Sequence, residues 1–322
     1  MKQSHNDKKN VSPKDGKRKQ IREVSLRKRI WEGRYYYLLL LPAVTYVILF
    51  NYIPMYGLQI AFKNFKVSRG VWGSPWIGLR NFRDFFTSYS FPQLMENTFV
   101  LSLYQIVVGF PIPVIVALVL NEIKSKYKNF AQTVLYAPHF ISTVVLIGMM
   151  VNMFSPSQGV VNTLLGVFGI EPIYFFGEPK YFRHLYVWSG IWQSMGWSAI
   201  IYLAALAGVD PALHEAADID GASRLQKIIH INIPAILPTI IIMLILKFGQ
   251  IASIGYEKVY LMQNDLNIST AEVISTYVYK RGIVNSSYSF SAAVGLFNNV
   301  INVTMVLTAN KISKKFSETS LF

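Results

Sequence analysis

Six stretches of mostly apolar residues, each at least as long as the roughly 20 residues needed to cross a hydrocarbon core, leave this chain few ways to fold. They run from Tyr35 to Phe62, Leu94 to Leu120, Phe130 to Phe154, Tyr186 to Val209, Ala235 to Gly255 and Phe290 to Asn310. A backbone in hydrocarbon must satisfy its own N–H and C=O groups, so the sequence predicts an all-α integral membrane protein with six transmembrane helices. Composition agrees: 52% of residues are apolar and only 15% charged, and the mean hydropathy is +0.33. A soluble domain would carry about 25% charged residues. Cysteine is absent, which excludes disulfides, thiolate nucleophiles and cysteine-ligated zinc, and the five histidines are scattered without metal-ligand spacing. No metal site and no catalytic residue is expected.

The net charge of +14 would suggest nucleic acid in a soluble protein, but 12 of the 31 Lys and Arg precede Tyr35. That distribution points to a membrane-side tail and lipid, not to nucleic acid. Cationic residues favour the cytoplasmic side, and placing both termini there puts 20 Lys and Arg inside against 10 outside. The first outer loop, with Lys63, Lys66, Arg69, Arg80 and Arg83, runs against this bias. Residues 1–34 form a basic cytoplasmic tail in which Ile21, Val24, Ile30 and Trp31 alternate with Arg22, Arg27, Lys28 and Arg29. This pattern suits an amphipathic helix on an anionic leaflet or a solvated tail. The first span lacks a small-residue cleavage site and is too long for a signal peptide, so it is expected to stay in the protein. Residues 35–315 form one six-span domain and 316–322 a short cytoplasmic end. The outer loop from Gly159 to Gly169 repeats apolar residues at helical spacing, which predicts a short surface helix. Pro111, Pro113 and Pro138 are expected to kink the second and third spans.

The inner segment 210–234 is too long and too patterned for a connector. Asp210-Pro211 provides an N-cap and a proline at the first helical position, and Glu215-Ala216-Ala217 continues the helix. Gly221 permits a sharp turn into a second short helix, Ala222 to Ile231, which Pro234 is expected to end. Two such helices, half polar and half apolar, suit the groove of a partner protein.

The run Glu215-Ala216-Ala217, Asp220-Gly221-Ala222-Ser223, Gln226, Ile233-Pro234 and Pro238 resembles the EAA signature of permease subunits in binding-protein-dependent ABC importers. Ile228 stands where an aromatic residue is common and Ile233 where leucine is usual, and both keep apolar bulk. Asn51-Tyr52-Ile53-Pro54-Met55-Tyr56-Gly57, Gly78-Leu79-Arg80-Asn81-Phe82 and Thr276-Tyr277-Val278-Tyr279 are similar to the carbohydrate-uptake branch that handles complex oligosaccharides and polysaccharides. The resemblance implies a type I ABC importer permease fold in a bacterial cytoplasmic membrane. It also implies a second homologous permease subunit forming a heterodimer, two ATP-binding subunits and an extracytoplasmic solute-binding protein. ATP and magnesium would sit in the partner subunits, because the chain has no phosphate-binding Gly-x-x-x-x-Gly-Lys-Ser/Thr loop of its own and binds no cofactor. Glu215, Ala216, Ala217, Asp220, Gly221, Ala222 and Pro234 would couple the chain to the ATPase, with Glu215 as the charged contact.

Polar groups inside the spans mark a pathway or a helix contact. Trp192, Gln193 and Trp197 in the fourth span, with Asn298 and Asn302 in the sixth, combine aromatic faces and amides in the way a sugar requires. Asn and Ser can equally hold neighbouring helices together, and Trp can anchor at the interface. Lys247 is a charge inside the fifth span, free to reach the interface, to pair with a carboxylate of a second permease, or to attract an acidic sugar. Two other functions remain open. One is an importer permease for a non-sugar solute. The other is an integral membrane glycosyl or acyl transferase, against which stands the lack of an acidic pair or histidine cluster at a membrane edge.

Overall fold

The computed structural model describes residues 31–316, so the expectations for the tail before Trp31 and for residues 317–322 lie outside the described residues. Among the described residues, the chain divides into two units at Tyr56–Gly57. Helix α1, Arg34–Phe62, begins in the first unit, and every side chain from Arg34 to Tyr56 is exposed.

The second unit is helical throughout. Its elements are α2 (Arg80–Phe86), α3 (Phe91–Glu122), α4 (Lys126–Phe140), α5 (Thr143–Met153), α6 (Val160–Val167) and α7 (Pro179–Leu206). They are followed by α8 (Pro211–Ile219), α9 (Arg224–Phe248), α10 (Tyr256–Met262), α11 (Ile268–Ala271), α12 (Ile274–Tyr279) and α13 (Tyr288–Phe316). Among the described residues, α1, α3, α9 and α13 are each long and apolar enough to cross a bilayer. The pairs α4/α5, bent by 95°, and α7/α8, bent by 77°, bring the total to as many as six. The third expected span is therefore broken near Ile141. Pro138 sits in the tightened turn Ala137–Phe140, and Ser142 then caps α5 by accepting from Val145 N–H at 3.3 Å.

One expectation is corrected. Pro234 does not end a short helix. The chain runs on from Arg224 to Phe248 as one element, ahead of the expected span at Ala235–Gly255. The reason is local: the turn Ile228–Asn232 widens so that Ile233 N–H bonds to Ile228 O, five residues back. A widened turn accommodates the proline ring, which would otherwise clash with the carbonyl four residues before it. The same device precedes Pro111, where Phe110 N–H reaches Gln105 O at 3.1 Å.

Helix α7 packs along the second half of α3 and organises the bundle. On one side Phe182, Val187 and Ile191 of α7 meet Leu101 of α3 and Val259 and Met262 of α10. Toward the α8 end, Tyr202 and Leu206 meet Val114, Ala117 and Leu118 of α3 and Ile236 of α9. A third cluster joins Phe85, Leu94, Ile274, Tyr277 and Val294. The loop before α2 is ordered by polar contacts: the buried Lys63 ammonium donates to Val71 O at 2.7 Å and lies 4.8 Å from the centre of the Trp76 ring. Asn81 donates to Ala61 O at 2.7 Å. The surface helix expected between Gly159 and Gly169 is α6.

Helices α7 and α4 touch at Gly196, where a Cβ would lie 2.2 Å from Leu135 O. Close backbone approach at a small residue is how helices pack in lipid. Gly196→Ala should lower the stability of the detergent-purified chain by about 1–3 kcal/mol. Gly148→Ala, with nothing within 4 Å of the added atom, should leave the melting temperature unchanged.

Candidate functional site

Helix α8 and the first turns of α9 form a stiff hairpin. Asp210 caps α8 by accepting from Ala212 N–H at 2.9 Å, with Pro211 at the first helical position. The helix ends in a Schellman turn: Gly221 takes φ +73°, Ala222 N–H bonds to Ala217 O at 2.9 Å, and Gly221 N–H bonds to Asp218 O at 3.1 Å. Only glycine enters that conformation without strain. Ser223 and Gln226 then make a reciprocal capping box. An ion pair from Lys227 to Asp218 ties the second arm back to the first. The hairpin presents Glu215, Ala216, Asp220 and Gly221 on its exposed surface, together with Leu213, Leu225 and Ile219, the last 88% exposed. Ala217 and Ala222 are half-buried, and Pro234 lies exposed further along α9. A rigid knuckle with exposed apolar tips and a carboxylate is built to seat in a groove.

A separate cavity of about 310 Å³ opens between α3, α7, α9 and α10. Polar groups line it from every side: Gln105 from α3, Gln193, Ser194 and Ser198 from α7, and Gln250 and Ser253 after α9. Two lysines, Lys247 and Lys258, also line it, and no carboxylate does among the described residues. Lys247 occupies the last turn of α9, where a cation complements the helix dipole, and is exposed. Lys258 is half-buried, donates to Tyr186 O at 3.0 Å and lies 4.8 Å from the centre of the Tyr186 ring. Burial pushes its ammonium down to about 8.

The residues expected on a substrate path do not all meet. Gln193 and Lys247 line the cavity, while Trp192, Trp197, Asn298 and Asn302 do not. Gln193 also donates to Ile141 O at 2.7 Å, supporting the break between α4 and α5. Trp197 stacks on His139 with ring centres 4.5 Å apart. Asn302 accepts from Ala252 N–H at 3.0 Å and donates to Ser253 Oγ at 2.6 Å, so its amide serves the chain. Gln105, Gln250 and Lys258 are cavity residues that sequence reasoning passed over. Gln105 carried a usable signal as a lone amide in an apolar run, whereas Lys258 falls outside every expected span. No group of three or more metal-ligating side chains occurs among the described residues.

Long apolar helices around a polar-lined cavity define a membrane-embedded component. Residues 109–316 match the family of binding-protein-dependent transport system inner membrane components, and the chain belongs to it. It is 41% identical over 91% of its length, and 92% of the relative's, to the polygalacturonan/rhamnogalacturonan transport system permease protein YteP of Bacillus subtilis. Among solved structures, it is similar to a chain of a bacterial alginate ABC transporter in complex with an alginate pentasaccharide-bound periplasmic protein. There the TM-score is 0.85 and the identity 39%, covering 92% of this chain and 99% of that one. A bacterial ABC transporter involved in import of the acidic polysaccharide alginate matches with TM-score 0.84 and 40% identity, covering 90% and 98% of the two chains. The chain is a multi-pass permease subunit of a binding-protein-dependent transport system, and permeases are transport subunits rather than enzymes.

Because Asn302 closes a buried backbone N–H, Asn302→Ala should destabilise the chain by about 1–3 kcal/mol. The KM for the transported solute should stay at its wild-type value, a separation that uptake kinetics and thermal denaturation together resolve.

Proposed function

We propose that this permease carries acidic sugar oligomers, and that ATPase subunits drive it through the α8 hairpin. The observation that carries the substrate reading is the cavity itself, where two lysines stand among amides and hydroxyls without a balancing carboxylate. An unbalanced cationic pair favours a carboxylate ligand, while Gln and Ser side chains match sugar hydroxyls in both donor and acceptor roles. The similarity to permeases of polygalacturonan/rhamnogalacturonan and alginate transport supports the same class.

Coupling needs a second component, since the sequence holds no phosphate-binding loop of its own. In this reading the hairpin and both termini face the cytoplasm, in line with the bias of Lys and Arg along the chain. Two ATP-binding subunits receive the hairpins of this chain and of a second, homologous permease. Glu215 pairs with a basic group in the ATPase groove, Ile219 and Leu225 fill its apolar floor, and Gly221 sets the angle between the arms. An extracytoplasmic binding protein delivers the sugar to the opposite end, and the whole assembly resides in a bacterial inner membrane.

Two experiments on the transporter reconstituted with its binding protein test these readings. Lys247→Gln and Lys258→Gln should each raise the KM for an acidic oligomer roughly tenfold, the loss of one charge-assisted bond, and leave a neutral oligomer unaffected. Lys258 is cationic below its pKa of about 8, so wild-type KM should climb as pH rises through that value, and Lys258→Arg should abolish the climb. Equal effects on acidic and neutral sugars would remove the lysines from substrate selection. For coupling, Glu215→Lys or Gly221→Val should release the ATPase and abolish transport while the chain still inserts. Normal ATPase co-purification with both variants would reject the docking role.

A further inference from the structure

The joint between the hairpin and the apolar length of α9 contains one unsatisfied residue. Asn232 closes the widened turn Ile228–Asn232, and its side chain is 0% exposed. Neither the nitrogen nor the oxygen of its amide has a hydrogen-bond partner. Other buried asparagines differ. Asn97 reaches Ser269 O, Asn162 reaches Ser155 O, Asn267 reaches Phe176 O, and Asn302 reaches Ser253 Oγ. Its near neighbours in sequence, Ile228, Ile233 and Ile236, belong to the cluster of Val114, Leu118, Tyr202 and Leu206.

A buried amide without partners destabilises the conformation that contains it, and a leucine of similar size would suit this site better. Such a group biases an equilibrium when a second conformation satisfies it. The turn that holds Asn232 has an evident second form. If it rewinds, Ile233 N–H passes from Ile228 O to Ile229 O, and Ile228 O, four residues before Asn232, becomes accessible to its side chain. Short polar side chains make this backward bond within helices. The exchange shifts the helical register by one residue, about 1.5 Å along the axis and 100° around it, between the hairpin and the rest of α9, and it presses the Pro234 ring toward His230 O, so the rewound form is populated only under a force from the hairpin.

We propose that Asn232 is a coupling residue: its amide is unmet in the conformation described here and bonded in the alternate conformation, which is reached when the hairpin drives the Ile228–Asn232 turn to rewind. This inference rests on the docking reading of the hairpin. Asn232 acts through the helix, not through contact with sugar or nucleotide.

The test uses the assembled transporter with its ATPase and binding protein in lipid nanodiscs. Asn232→Leu should keep the ATPase bound and raise the melting temperature of the nucleotide-free complex. It should also lower binding-protein-stimulated ATP hydrolysis roughly tenfold, a typical coupling free energy. Asn232→Thr, which can make the backward bond, should restore stimulation to near the wild-type level. A lower melting temperature for Asn232→Leu would mean that the amide is already satisfied in the resting state, and unchanged stimulation would mean that it does not couple. Either result overturns the proposal. Failure of the docking reading has a different signature, retention of the ATPase by Glu215→Lys.

Discussion

A bilayer offers no hydrogen-bond partner to a broken helix, and this constraint accounts for where the chain bends and how. Three prolines fall inside long apolar helices at the same offset from a widened turn: Pro54 after Ile48–Tyr52, Pro111 after Gln105–Gly109 and Pro234 after Ile228–Asn232. In each, the residue before proline bonds five residues back, which keeps the N–H groups paired while making room for the ring. The widened turn also changes which face its neighbours present. Gln105 thereby lines the cavity, and Asn232 enters an apolar core. Backbone satisfaction and the placement of functional side chains are thus one problem with one solution.

Helix α7 links the cavity to the hairpin. It forms one wall of the cavity through Gln193, Ser194 and Ser198, then gives way through the capped turn at Asp210 to the hairpin. Both arms of that hairpin are held by caps and an ion pair, so a force applied at Glu215 or Ile219 moves it as a body. The unsatisfied joint lies immediately beyond, at the start of α9's apolar length. In the proposed docking, a stiff hairpin followed by a turn that can rewind is the arrangement that transmits motion with the least loss.

The hairpin was largely legible from sequence because its determinants are local. Asp210-Pro211 and Gly221 act within a turn or two, and the structure uses them as cap and turn; the Ser223/Gln226 capping box, which the structure adds, is equally local. The cavity was much less legible. Gln193 and Lys247 line it, but Trp197 turns to stack on His139 and Asn302 turns to close the backbone at Ala252. Two residues spaced i, i+4 share a helix face, yet nothing in that spacing says what lies opposite the face. The extent of α9 was misjudged for a related reason: Pro234 reads as a stop unless the widened turn before it is known.

By itself, the sequence determined a membrane-spanning helical chain, its apolar segments and the bent element between the fourth and fifth of them. Hydropathy, caps and glycine conformations are properties of adjacent residues, so these features need no distant partner. Only the tertiary structure decided that Lys247 and Lys258 line one cavity, that Asn302 is spent on the backbone and that Asn232 is buried without a partner. Each of those outcomes depends on how α3, α7, α9 and α13 are set against one another, and in lipid that choice is made by close packing at positions such as Gly249, where a Cβ would lie 2.3 Å from Val306 of α13, a fit between surfaces that no single segment contains.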